Sequence, residues 1–465
     1  MFCLKKIKLK QQIDEKNSSD KNLQDLESKF ITEQDENKFK ASQNSIAIVI
    51  LNLVLFETLR PLLEEFLKKG LGYDLFVPKI DFDTNAERMA MDTYEYLVKI
   101  GLKPVILDII PTETYKIAFY PYLPYYKEVK SKYKIRYQYG MAKPNHNFGV
   151  WSLNFDLILC NGPYDESFLK VYTETEIIGP IKFANYNIKN KNKKDIVRVL
   201  YLPTYGSECS IEYIKDNLKD LNNEFDITIK LHHMTSFLEQ GRVKIAKEIS
   251  KKIKNHRDSI VELFNETDVI LSDGSGAIFD AIAAEIPIVI FQPVHHEEYE
   301  GMIPLEQQII IDNLVPSTDN PIDLKQKILS AINDEEYLKK RKELKEKLFP
   351  IMGRKTIERA IIVIEKFLND DIDENYIRTQ RKLRKKFIQL NADINAFKMF
   401  KEQNRDLIKT ISGKDEAIVS MTKMIDDRDE AIVSMTRMID DRDKAIRNMA
   451  KMIEYRDEVI KNNKN

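Results

Sequence analysis

One tryptophan, three cysteines and fourteen glycines in 465 residues set the first limits on this chain. Cys3, Cys160 and Cys209 are far apart and match no metal-ligand spacing. They read as reduced thiols, which excludes a disulfide framework and points to the cytoplasm. Charge of one sign is lacking as well: 73 Lys and Arg face 74 Asp and Glu, a net charge of −1. No global field draws the chain to nucleic acid, so nucleic acid is not expected as a partner. Long apolar runs are also missing. The longest, Ile46 to Phe56, is broken by Asn52 and is too short to span a bilayer. The basic start, Met1 to Lys10, is not followed by the apolar stretch of a secretory leader. The expectation is a cytoplasmic protein whose only membrane association is peripheral, at the inner face.

What is present is a hydrophobic content of 43%, enough for the cores of two ordinary domains. Residues 1–44 are polar and read as a mostly disordered N-terminal segment. From Ser45 the pattern alternates between β-type and helical runs. Ile46–Leu51 and Tyr73–Val77 read as strands, with an amphipathic helix over Phe56–Lys69 closed by Gly70. A helix over Ala86–Lys99 and strands at Val105–Ile109, Lys134–Tyr139, Asp156–Cys160 and Glu176–Ile178 continue the series. The lysine-rich segment Asn185–Asp195 reads as a linker. A second series follows, with a strand at Val197–Leu202, a helix at Ile211–Leu221, a strand at Asp226–Leu231 and a helix at Arg242–Lys254. Strands alternating with helices imply parallel sheets covered on both faces. The fold class expected is therefore α/β, with two doubly wound Rossmann-like domains, one over 45–189 and one over 190–368. Such halves place a ligand crevice at the carboxyl ends of their strands.

The segment Asp268–Pro293 carries the most chemistry. It reads as strand, tight polar turn, helix and strand, with the turn Ser272-Asp273-Gly274-Ser275-Gly276 opening the helix. The first amide groups of a helix are free donors at the positive end of its dipole. Two glycines let phosphates approach the backbone closely, and Ser275 adds a hydroxyl. The turn thus suits a diphosphate, though a simple chain reversal with Ser275 as a cap uses the same residues. Strand ends add Thr204 after Leu200–Leu202 and a pair of imidazoles, His232 and His233, after Ile229–Leu231. A packed strand-end histidine is the plain alternative for His232. Asp273 either bonds the turn's own amides or meets a sugar hydroxyl, and Asp280 either contacts the ligand or complements the helix dipole.

From Asp373 the pattern changes. Positions 383, 390, 397 and 404 are Leu, Leu, Phe and Asn, and every seventh residue from 411 to 460 is Ile. That spacing predicts a long C-terminal coiled-coil helix over 373–462 with isoleucine at the a positions, and hence a homo-oligomer. The d positions alternate, Met421, Met435 and Met449 interleaving with Arg428, Arg442 and Arg456. Asn404 at an a position suits a register device, and Gly413 suits a hinge.

Four motifs occur in a set order: Leu-Tyr-Leu-Pro-Thr at 200–204, Lys-Leu-His at 230–232, Ser-Asp-Gly-Ser-Gly-Ala-Ile-Phe-Asp at 272–280 and Gly-Arg-Lys-Thr-Ile-Glu-Arg at 353–359. Together they resemble the second domain of the CDP-glycerol glycerophosphotransferases, the teichoic-acid-type polymerases and primases. Gln138–Lys143 and Ile178–Phe183 resemble that family's first-domain turn and domain-crossing segment more loosely. The resemblance implies a glycosyltransferase-B architecture, an acceptor-binding first domain and a nucleotide-donor-binding second domain. It implies a CDP-linked alditol phosphate or sugar as donor and a polysaccharide or lipid-linked acceptor in cell-surface polysaccharide synthesis, with no cofactor and no metal. By position, His232 as an imidazolium would stabilise the leaving nucleotide. Thr204, Ser272, Asp273, Gly274, Ser275, Gly276 and Asp280 would bind the donor. Where the family carries a histidine before a glycine as base, this chain has Tyr139 before Gly140. An ordinary tyrosine is a poor base at neutral pH, and His146 in the next loop is the substitute at hand. A nucleotide-sugar 2-epimerase of the same architecture and a non-catalytic scaffold are the competing readings.

Overall fold

The computed structural model describes residues 45–79, 84–107, 114–122, 129–187, 196–292 and 303–462. The N-terminal segment 1–44 and most of the expected linker lie outside the described residues. Seven strands form a first parallel sheet: β1 (Ile46–Val49), β2 (Tyr73–Pro78), β3 (Val105–Leu107), β4 (Tyr115–Tyr120), β5 (Ser131–Tyr137), β6 (Leu157–Cys160) and β7 (Glu174–Ile177). Their spatial order is β3-β2-β1-β4-β5-β6-β7. Six more form a second parallel sheet: β8 (Arg198–Leu202), β9 (Asp226–Lys230), β10 (Ile253–Lys254), β11 (Val269–Ser272), β12 (Ile288–Phe291) and β13 (Ser317–Thr318). These are ordered β10-β9-β8-β11-β12-β13.

Parallel neighbours need long crossovers, and helices supply them on both faces. The central strands are accordingly apolar without alternation: Ile-Ala-Ile-Val in β1, Leu-Ile-Leu-Cys in β6 and Ile-Val-Ile-Phe in β12 are buried throughout. The helix Leu53–Lys68 starts where the Asn52 side chain accepts the Leu55 amide at 3.0 Å. Its buried side chains Leu55, Leu59, Leu62, Leu63 and Phe66 recur every three or four residues and cover the first sheet. Each such side chain contributes roughly 1.5–3 kcal/mol when fully buried.

The helix Arg354–Leu368 follows the second sheet in sequence but packs on the first. Ile357, Ala360, Ile361, Ile364 and Phe367 share a core with Leu55, Leu59 and Phe119. Its start lies against the crossing segment at Gly179, whose φ is +95°. A Cβ at Gly179 would lie 2.2 Å from the Ile351 carbonyl oxygen, so glycine alone permits this approach.

Among the elements that differ from the sequence reading, two bear on the sheets. The central strand β4, Tyr-Lys-Ile-Ala-Phe-Tyr, has no clean period of two and stands beside a tyrosine- and proline-rich stretch. The expected helix Arg242–Lys254 ends at Ile249, after which Ile253–Lys254 adds the short edge strand β10.

Residues to Arg381 form one compact unit and Lys382–Asn465 a second. A helix of 89 residues, Glu374–Asn462, runs through Gly413 without a break, so the expected hinge is continuous helix. In the second unit Ile418, Ile425, Ile432, Ile439, Ile446 and Ile453 are each at least 50% exposed. Among the described residues no helix is long and apolar enough to cross a membrane.

Candidate active site

In the second sheet β8 is flanked by β9 on one side and β11 on the other. The chain leaves these strands in diverging directions, which opens a crevice at their carboxyl ends. Ser272 stands opposite Leu202 in the ladder, so the turn after β11 and the loop after β8 emerge side by side. The first sheet has the same switch between β1 and β4. A cleft of about 700 Å³ lies where the two sets of loops meet, lined from the first half by Asn52, Tyr122, Tyr139 and Lys143 and from the second by Thr204, His232 and Gly276.

The turn is built from its own side chains. Ser272 Oγ donates to the Leu202 carbonyl at 2.8 Å and lies 3.0 Å from Ser275 Oγ. The Ala277 amide donates to Ser275 Oγ at 3.3 Å. With the Ser272 proton on Leu202, the Ser275 proton goes to Ser272 or to a ligand in the cleft. Gly276 is exposed at φ −58°, and a Cβ built there meets nothing within 4 Å. The glycine is thus not required by backbone conformation; what it provides is space.

Asp273 departs from its expected role. It is fully buried, and Oδ1 accepts the Thr204 amide at 2.7 Å. Oδ2 accepts both the Ser210 amide and the Ser210 hydroxyl at 3.0 Å. The carboxylate therefore ties the loop after β8 to the end of β11, and burial pushes its pKa up to about 6. Thr204, Ser275, Gly276 and Asp280 line the cleft, whereas Ser272, Asp273 and Gly274 lie beneath its wall and support it.

His232 ends β9 and caps the short helix His233–Leu238, its Nδ1 accepting the Met234 amide at 3.2 Å. Only Nε2 can then carry a proton. The ring stacks on Tyr205, with centroids 4.6 Å apart, and lies tilted against His233 at 4.2 Å. Burial, Lys143 and Lys230 hold its pKa down at about 4. The imidazolium expected from sequence is thus a neutral Nε2–H donor in this structure. His233 is also driven well below the usual imidazole range, by burial first and then by His232.

Several cleft residues had no role in the sequence reading. Lys182, on the crossing segment, pairs with Asp280 at 2.5 Å and joins the first half to the turn's helix. Lys143 pairs with Glu208 at 2.7 Å. Lys230 donates to the Asn255 and His256 carbonyls at 2.9 and 3.2 Å, and burial brings its pKa down to about 8. Beside it, His256 Nε2 lies 2.9 Å from Asp92 and Arg257 Nε 3.1 Å, so the two halves are clamped at the cleft edge. The Lys-Leu-His and Gly-Pro-Ile-Lys motifs contain two of these cations, but nothing in the sequence pairs them with Asp280 or with loop carbonyls.

The first-half wall holds Tyr139, edge-on to Tyr122 at 5.7 Å. Burial raises its hydroxyl pKa, which weakens it further as a base. His146 sits on the short helix Pro144–Asn147, and its side chain lies outside the described residues. Glu57 also lines the cleft, with the Tyr96 hydroxyl at 3.5 Å and its carboxyl raised chiefly by burial. Among the described residues no group of three or more His, Cys, Asp or Glu could hold a metal ion.

Two helix-covered parallel sheets that meet across a cleft at their carboxyl ends fit a glycosyltransferase-B-like fold of two domains. Several solved structures resemble the chain. A variant of the wall teichoic acid polymerase TagF with CDPG is 14% identical at a TM-score of 0.50, over 71% of this chain and 90% of that one. MnaA of S. aureus with UDP is 14% identical at 0.46, over 70% and 97%. The glycotransferase of kitacinnamycin is 12% identical at 0.40, over 70% and 100%. At 14% identity the likeness to the TagF variant is one of fold. No protein-family model and no curated protein sequence matches the chain.

Proposed function

We propose that the protein is a transferase that uses a nucleotide-activated alditol phosphate or sugar, of the CDP-glycerol kind, in cell-surface polysaccharide synthesis. In this reading residues 45–189 bind a polysaccharide or lipid-linked acceptor and residues 190–368 bind the donor. The tail over 373–462 joins copies as a coiled coil, and the protein works in the cytoplasm or at the inner membrane face.

One observation carries the proposal: the Ser275–Gly276 turn and His232 line one cleft at the switch point of the second sheet. The Gly276 amide, a serine hydroxyl and a neutral imidazole N–H are donors suited to phosphate oxygens. For an alditol-phosphate donor, the acceptor hydroxyl oxygen attacks the alditol-linked phosphorus and a new P–O bond forms. The anhydride bond breaks, and its electrons leave on the nucleoside monophosphate. His232 Nε2–H and the Gly276 amide stabilise that charge. The acceptor proton passes to a base on the first half. Glu57 is a carboxylate in that wall, and His146 lies on the short helix Pro144–Asn147; Tyr139 suits the task poorly.

The test is a calorimetric screen of CDP-glycerol, CDP-ribitol, UDP-sugars and CMP-sialic acid against the full chain. Saturable binding of one donor with transfer to an acceptor supports the proposal. Epimerised sugar would support the 2-epimerase reading, and no affinity for any nucleotide would leave a scaffold.

A further inference from the structure

The isoleucine stripe of the second unit is flanked by charged residues in a fixed order. Counting each Ile as a, the d positions Arg428 and Arg442 are followed directly by Asp429 and Asp443 at e. All four are exposed, and among the described residues neither arginine is ion-paired within its own chain. The g positions are uncharged: Ala417, Met424, Ala431, Met438, Ala445 and Met452. A guanidinium brought into a seam needs an acid, because burying it unpaired is costly.

We propose that the tail binds further copies of this chain in parallel and in register, each seam arginine meeting the e-position aspartate of its neighbour. This rests on the coiled-coil part of the proposed function and adds orientation and register to it. In a parallel coiled coil a d knob enters a hole rimmed by the neighbour's e residue. At zero offset Arg428 therefore meets Asp429 of the next chain, and Arg442 meets Asp443, in neutral rings. A slip of one heptad sets Arg428 beside Thr422 or Thr436, where no acid waits. An antiparallel arrangement layers a against d and opposes each arginine with an isoleucine. The g positions, facing e in the parallel form, bring no acid against Asp429 or Asp443.

The experiment uses the full chain with Cys3→Ser; Cys160 and Cys209 are buried and stay as they are. Arg428→Cys and Arg442→Cys are oxidised mildly in separate samples, and the native mass is measured by sedimentation. The expected result is an oligomer in which both variants form disulfide-linked chains in high yield. An oligomer that cross-links at one position only, or at neither, overturns the parallel in-register arrangement while leaving the coiled coil standing. A monomer overturns the coiled-coil reading itself. Asp429→Asn with Asp443→Asn is expected to weaken assembly at least tenfold; unchanged affinity would remove the arginine–aspartate rings.

Discussion

His232 shows how one backbone contact sets the chemistry of a side chain. Because Nδ1 accepts the Met234 amide, the neutral ring carries its proton on Nε2, and burial holds its pKa at about 4. His232→Ala is expected to lower turnover at least ~100-fold, the scale of losing one donor to a developing oxyanion. The thermal midpoint should change little, and wild-type turnover in this variant would refute the assignment. The same depressed pKa has a stability consequence. The unfolded imidazole titrates near 6.5 and the folded one near 4, so the unfolded chain takes up the proton first. Stability present above pH 6.5 is lost as pH falls toward 4, by up to about 1.4 kcal/mol per pH unit for this histidine. Urea midpoints from pH 7.5 to 4.5 check this, and His232→Gln should flatten the profile. His232 itself was legible from the Lys-Leu-His motif at the end of a strand. Its charge was not, since the Met234 cap and the Tyr205 stack arise only in the folded loop.

At the scale of elements, the loop after β8 and the turn after β11 act as one piece because Asp273 joins them. Asp273→Ala strands the Thr204 and Ser210 donors in a buried place, and about 2–5 kcal/mol of stability should be lost. Urea denaturation measures this, and a change under 1 kcal/mol would show the network to be slack. The sequence marked this acid as part of a ligand site because it sits between serines and glycines. Its burial could not be read, since Ser210 approaches from 63 residues away. Strands with continuous β-branched runs, such as β11 and β12, were plain in the sequence. Strand β4 was not: tyrosines and a lysine hide a central position that the sheet order imposes. The return of the helix Arg354–Leu368 to the first sheet was equally hidden, because its amphipathic period names a buried face but not the partner.

For the whole molecule, two expectations concern assembly and the cleft. Under the proposed coiled-coil assembly, removing residues 413–465 is expected to give a smaller species in sedimentation while the thermal midpoint of the first unit holds within a few degrees; an unchanged assembly state would remove the coiled-coil proposal. The seven-residue period made the tail evident in sequence, since a repeat needs no tertiary context to be seen. The cleft was foreseeable only as a consequence of two doubly wound halves; its cations and clamps come from residues far apart in the chain. The most direct test of the proposed diphosphate seat uses the empty space above Gly276. A Cβ built there meets no protein atom within 4 Å, so Gly276→Val is expected to fold as the wild type does. It would nonetheless occupy the space assigned to phosphate. Calorimetric titration of the screened donor is expected to show saturable binding to the wild type and at least tenfold weaker binding to Gly276→Val, with matching thermal midpoints. Equal affinity in the two proteins would contradict the account.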